Sequence, residues 1–94
     1  MAYLFEWDPA KAASNLRKHG VSFEEATTAF GDPLSLQLSD PSHSAREERF
    51  LVLGVSAQAR LLVVAYADRG PLTRIISARL ASRRERRRYE EAED

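Results

Sequence analysis

The sequence predicts a small α+β domain in which helices pack on one face of an antiparallel sheet. Three observations lead to this class. The chain has 94 residues, which is enough for one domain, 1–94, and no more. Two helical segments with start signals come before four strand-like segments, and a helical segment follows them. The last strands are joined by short turns, which requires antiparallel pairing. The predicted order is β-α-α-β-β-β-β-α.

The first third of the chain contains one short strand and two helices. Residues 3–7 are rich in aromatic side chains, as is typical of a strand. Asp8 followed by proline is a helix start, and Gly20 after a basic turn is a helix end. Ser22 and Glu25 have the spacing of a capping box, which predicts a second helix.

The remaining strands follow from alternation and turn residues. Alternation in the last strand predicts Ile76, Ala78 and Leu80 on the helix-covered face. It predicts Ile75, Ser77 and Arg79 on the open face. A sheet covered on one face leaves the other free for a partner or substrate. The predicted strands are residues 34–39, 49–56, 60–67 and 72–79; residues 80–91, without glycine or proline, are predicted to be helical.

The net charge of zero conceals a basic block. Residues 72–88 carry seven arginines against Glu85 alone, and residues 89–94 carry four acids. Such a block is typical of a polyanion-binding surface, and equally of a solvated helix face. With no cysteine, disulfides and thiol chemistry are excluded. Neither a signal peptide nor a membrane span is evident, so the expected location is the cytoplasm, with no membrane partner.

Metal and cofactor chemistry find little support in the sequence. His19 and His43 lie on different elements without ligand spacing, and phosphate-loop and dinucleotide motifs are absent. No metal and no cofactor are therefore expected. Arginines, histidines and carboxylates remain, and these suit cleavage of RNA, which carries its own nucleophile in the 2′-hydroxyl. Structural roles stay open: His19 can end a helix, Glu48 can form an ion pair, and several C-terminal arginines must be plain surface.

Several segments together resemble BrnT-type toxins of bacterial type II toxin–antitoxin modules, over roughly residues 5–91. The resemblance implies a RelE-like fold and ribonuclease activity that arrests growth. It also implies neutralisation by a BrnA-type antitoxin. The toxin would then contact DNA only indirectly, through the antitoxin. The segments are Phe5-Glu6-Trp7-Asp8-Pro9-Ala10-Lys11, Asn15-Leu16, Lys18-His19-Gly20-Val21-Ser22-Phe23-Glu24-Glu25-Ala26, His43-Ser44, Glu47-Glu48-Arg49, Gly54, Arg60-Leu61-Leu62-Val63-Val64, Arg69-Gly70, Arg74-Ile75-Ile76-Ser77-Ala78-Arg79, Glu85-Arg86 and Tyr89-Glu90.

Candidate site residues follow from this hypothesis. Arginine suits phosphate because its planar fork matches the anion and stays charged. Arg79, just before the last helix, is expected to hold phosphate; the alternative is an exposed ion pair with Glu47 or Glu48. The other open interpretations are a non-catalytic binding module and an inactive scaffold that only docks an antitoxin. The catalytic candidates are Arg79, Arg74, Glu48, His43 and Tyr89, and the RNA-binding candidates are Arg60, Arg69, Arg83 and Arg86.

Overall fold

A five-stranded mixed sheet forms the centre of the structure, a computed structural model that describes residues 4–39 and 48–92. The spatial strand order is β1-β5-β4-β3-β2, and only β1 runs parallel to its neighbour. The chain order of elements agrees with the prediction. The elements are β1 (Phe5–Glu6), α1 (Pro9–His19), α2 (Phe23–Thr28), a 3-10 turn (Ala29–Gly31), β2 (Leu36–Ser39), β3 (Phe50–Val55), β4 (Leu61–Arg69), β5 (Leu72–Leu80) and α3 (Arg83–Ala92).

The helix boundaries follow the predicted start and stop signals. Asp8 caps α1 by accepting a hydrogen bond from the Ala10 N–H at 2.8 Å, and Gly20 ends that helix in the left-handed conformation. Ser22 caps α2 by accepting from the Glu25 N–H at 3.0 Å. The reciprocal half of the predicted capping box is not formed. The Glu25 carboxylate accepts instead from Arg60 and Ser56.

A β-bulge interrupts the alternation of β5. Ala65 lies opposite Ser77 and Tyr66 lies opposite Ile75, so Ile76 has no partner on β4. The expectation that Ile75 points to the open face is therefore wrong, because the extra residue turns it to the helix-covered side. Ile75 is 1% exposed there.

The sheet has helices on both faces. Helices α1 and α2 cover one face over a core that contains Phe23, Leu62 and Ile75. Helix α3 differs from the prediction: its Tyr89 packs on the opposite face, against Leu53 and neighbouring apolar residues of β4. Tyr89 is the buried residue of this otherwise highly charged helix, and it supplies the apolar contact that docks it. None of the helices in the described parts of the chain is long and apolar enough to cross a membrane.

The side chain of Asn15 joins α1 to the edge of β5. Its amide donates to the carbonyl oxygens of Val21 (2.9 Å) and Ala78 (2.8 Å), and its Oδ1 accepts from the Ala78 N–H at 3.1 Å. Strand β1 pairs with β5 only at Thr73 and Arg74, so it does not reach Ala78. The Asn15 amide therefore takes the place of a strand at this edge.

We expect Asn15→Ala to lower the free energy of unfolding by about 2 to 4 kcal/mol, because it strips partners from buried backbone groups. Chemical denaturation monitored by circular dichroism measures this. Ser14→Ala, at an exposed neighbouring position, is the control and should change stability by less than about 0.5 kcal/mol. Equal stability of the two variants would contradict the role given to Asn15.

Candidate functional site on the open face of the sheet

Three arginines share the face of the sheet opposite α1 and α2. Arg79 lies opposite Val63, which packs with Tyr89, and Arg74 lies opposite Ala67. Arg69 ends β4 two residues beyond Ala67, so alternation puts it on the same side. We call Arg69, Arg74 and Arg79 the arginine face. The bulge is what unites Arg74 and Arg79, since residues five apart on a regular strand point to opposite faces.

Arg79 forms a bidentate ion pair with Glu85 of α3. The Nη1 and Nη2 groups donate to the two carboxylate oxygens at 2.8 and 2.9 Å, and Nη1 also reaches the Leu80 carbonyl at 3.3 Å. The partner is thus Glu85, and the alternative pairing with Glu48 does not occur; Glu47 lies outside the described residues. A guanidinium has five N–H donors, so two stay available on a side chain that is 43% exposed.

The same carboxylate caps α3. Glu85 Oε1 accepts from the Ser82 N–H at 2.8 Å, and the Glu85 N–H donates to Ser82 Oγ at 3.2 Å. The hydrogen bonds from Arg79 lower the pKa of Glu85 to about 2; burial opposes the shift and the Ser82 N–H adds to it. The pair also raises the pKa of Arg79. Both groups therefore stay charged at neutral pH.

Arg74 faces a carboxylate that the sequence analysis did not single out. Its Nη1 lies 3.5 Å from Glu6 Oε2, and both side chains are about one-third exposed. The contact exists because β1 pairs in parallel with β5 and puts Glu6 opposite Arg74. Short turns and alternation carry no signal for a parallel pairing of this kind. Glu6 lay within the resembling opening segment, and its position on the open face becomes clear only from the sheet topology.

Arg60 lies away from the arginine face. Its Nε donates to Glu25 Oε2 at 2.9 Å, while its Nη2 contacts Glu25 Oε1 and the Gly20 carbonyl. Hydrogen bonding from Arg60 lowers the pKa of Glu25; burial opposes this and the Ser56 hydroxyl supports it. Leu61 packs under α3, so its neighbour Arg60 lies on the other face of the sheet, the one that α1 and α2 cover. In this structure Arg60 ties α2 to the start of β4.

Tyr89 is buried at 8% exposure and donates its hydroxyl proton to Asp32 Oδ2 at 2.5 Å. Asp32 also accepts from the N–H groups of Leu34 and Val55, each at 2.9 Å. Burial raises the pKa of Asp32, but the hydrogen bonds from Tyr89 and the two backbone groups outweigh it, and the net shift is downward. The phenol thus anchors α3 to the connection before β2.

Of the remaining candidates, Glu48 lies apart from Arg79. Glu48 is exposed and precedes β3 by two residues, whereas Leu53 marks the row of Arg79; five residues of strand span about 16 Å. His43 falls outside the described residues. Arg83 and Arg86 are exposed on α3, on either side of Glu85 in sequence. The structure brings Arg79 close to α3, and it leaves Glu48 and Arg60 elsewhere.

Metal-ligand clusters were sought among histidine, aspartate, glutamate and cysteine. Within residues 4–39 and 48–92, no three such residues lie close enough together to hold an ion.

Comparison with known proteins shows which family the chain resembles. A family model described as the ribonuclease toxin BrnT of type II toxin–antitoxin systems matches residues 7–85. The crystal structure of the Brucella abortus ribonuclease toxin BrnT superposes with a TM-score of 0.64 at 21% identity, covering 87% of this chain and 100% of that one. That likeness supports the fold. No curated protein sequence matches the chain.

We expect the Arg79–Glu85 ion pair to make the free energy of unfolding depend on pH in the acid range. Because the folded pKa of Glu85 is about 2, below its usual 4.5, the stabilisation is complete above about pH 4.5 and disappears as the pH falls towards 2. Glu85→Gln keeps a capping side chain but removes the charge. We expect it to lower the free energy of unfolding at pH 7 by about 1 to 2 kcal/mol.

Urea unfolding of both proteins between pH 7 and pH 2 measures this. The difference in stability between wild type and Glu85→Gln should shrink across the acid window, while the acid loss due to Asp32 is common to both. A difference that is constant with pH would contradict the assignment.

Proposed function

Because the chain belongs to the BrnT family of ribonuclease toxins from type II toxin–antitoxin systems, we propose that it cleaves RNA without a metal ion and arrests growth when free. A protein antitoxin partner follows from the family; we propose that it is of the BrnA type and that the complex is cytoplasmic. DNA is then contacted only through the antitoxin.

The observation that carries this proposal is the alignment of Arg69, Arg74 and Arg79 on one open sheet face. Guanidinium groups bind phosphate by paired N–H donors and stabilise charge on the phosphoryl oxygens. Arg79 is preorganised for this, because Glu85 holds the guanidinium while two of its donors remain available. Exposed Arg83 and Arg86 extend the positive surface along α3.

The proposed reaction uses the substrate's own nucleophile. The 2′-oxygen attacks the adjacent phosphorus as its proton passes to a base, and the 5′-oxygen leaves as it takes up a proton from an acid. The products are a 2′,3′-cyclic phosphate and a 5′-hydroxyl end. His43 is a proposed proton-transfer group. A part for Glu48 requires a phosphate bound near the start of β3, because about 16 Å of strand separates Glu48 from the row of Arg79. Tyr89 can take part in proton transfer only if its hydroxyl gives up the hydrogen bond to Asp32 and contacts the substrate.

Antitoxin docking is proposed on the same positive surface. An acidic or amphipathic antitoxin segment could pair with the exposed arginines of α3 or add to an open sheet edge. A segment paired with the arginines of α3 would compete with RNA for the positive surface.

We expect the purified protein to cut RNA in excess chelator and to leave 2′,3′-cyclic or 3′-phosphate ends. End-labelled RNA analysed on sequencing gels, with phosphatase treatment of the products, measures this. Expression should also arrest growth, and coexpression of the neighbouring antitoxin gene should reverse the arrest. Strict dependence on a divalent ion would exclude the metal-independent reaction, and harmless expression would favour a binding module.

Two variants distinguish the proposed phosphate binding by Arg79 from its structural ion pair with Glu85. Arg79→Ala and Glu85→Gln both break the ion pair, but only Arg79→Ala removes the phosphate-binding group. We expect Arg79→Ala to lose about a hundredfold or more in cleavage rate, by analogy with removal of one charge-stabilising donor. Arg79→Lys should recover little of this, because a point charge lacks the fork.

Single-turnover cleavage at a temperature where all variants are folded is the measurement. Glu85→Gln should retain activity within about tenfold of wild type. Equal losses in Arg79→Ala and Glu85→Gln would show that Arg79 acts only through the fold.

A further inference from the structure

A groove of about 180 Å³ lies between α1 and the edge of β5, beside the arginine face. Helix α1 contributes Lys11, Ser14, Lys18 and His19 to its walls, and β5 contributes Ser77 with the bulged Ile76. Among the residues that the structure describes, no acidic side chain lines it. We propose that this groove binds the sugar–phosphate backbone of the RNA strand outside the cleavage site. The inference rests on the proposed function for the identity of its ligand.

Three of the arginine candidates are paired with carboxylates, whereas the two lysines of the groove, within residues 4–39 and 48–92, are not. Arg60, Arg74 and Arg79 each form an ion pair with a carboxylate. Lys11 and Lys18 are exposed, and within the described ranges neither forms a salt bridge. They lie seven residues apart on one helix face, about 10 Å along its axis, so their flexible side chains can reach separate phosphates of one RNA strand.

The floor of the groove is rigid. Asn15 lines it, and both amide hydrogens and the amide oxygen of that side chain are used in bonds to Val21 and Ala78. The amide thus links α1 directly to the strand edge. The hydroxyl groups of Ser14 and Ser77 and the two ammonium groups are left to meet a ligand, and these are donors that suit phosphate oxygens.

The groove is continuous with the arginine face. Ser77 lies on β5 between Arg74 and Arg79, opposite Ala65 on the open side, and it also lines the groove. Because β1 ends at the row of Arg74, no strand separates the two surfaces there. An RNA strand bound by Arg74 and Arg79 can therefore leave the sheet over Ser77 and continue along α1.

The test measures binding apart from cleavage, with a single-stranded RNA carrying 2′-O-methyl groups throughout, so that no nucleophile is present. We expect Lys11→Gln/Lys18→Gln to weaken binding about tenfold or more near 0.1 M salt. The slope of log K against log salt should fall by about 1 to 1.5. On unmodified RNA, the rate at saturating substrate should equal that of wild type, because neither lysine belongs to the arginine face.

Arg17→Gln is the matched control for Lys18→Gln. It removes one positive charge from the neighbouring exposed position of α1, but Arg17 does not line the groove. Only Lys18→Gln should change the salt slope appreciably. Both variants should melt at the wild-type temperature.

Unchanged RNA binding and salt slope in the double variant would overturn the proposal. So would a loss of antitoxin affinity alone, because the groove would then be a protein-binding site. If wild type fails to cleave RNA but the double variant still loses binding, the groove assignment holds and the proposed ribonuclease function fails.

Discussion

One extra residue in β5 determines where the arginines of this protein lie. Ile76 has no partner on β4, so the side chains before it are turned relative to those after it. Ile75 and Ala78 consequently share the buried face, and Arg74 and Arg79 share the open one. Without the bulge, one of the two arginines would point into the apolar layer beneath α1 and α2. The positive surface and the core thus depend on the same local irregularity.

Ion pairing then divides the basic residues by role. Arg60 holds α2 against the start of β4 through Glu25, and Arg79 holds α3 through Glu85. The Arg79–Glu85 pair leaves guanidinium donors available on the open face. The Arg60–Glu25 pair lies on the face that α1 and α2 cover. A count of arginines in the sequence cannot distinguish these cases. The distinction depends on which carboxylate the fold brings within reach, and on which side of the sheet.

The fold was largely predictable, because its determinants are local. Capping residues at Asp8 and Ser22 and the glycine at position 20 mark helix ends, and alternation with short turns marks the antiparallel strands. The bulge, the parallel pairing of β1 and the docking of Tyr89 on the second face arise from tertiary contacts that no short window contains. For the same reason, the candidate site was predicted as a set of residue types, and its arrangement, including Glu6 beside Arg74, was not.

In the proposed complex, RNA lies on the open face of β4 and β5. An NMR titration of ¹⁵N-labelled protein with 2′-O-methyl RNA tests it most directly, because backbone amides and arginine Nε–H groups report contact residue by residue. We expect shifts at Arg69, Arg74 and Arg79 that continue over Ser77, with the Arg60 side chain unaffected. Shifts centred on Arg60 and α2, with the arginine face unchanged, would contradict it.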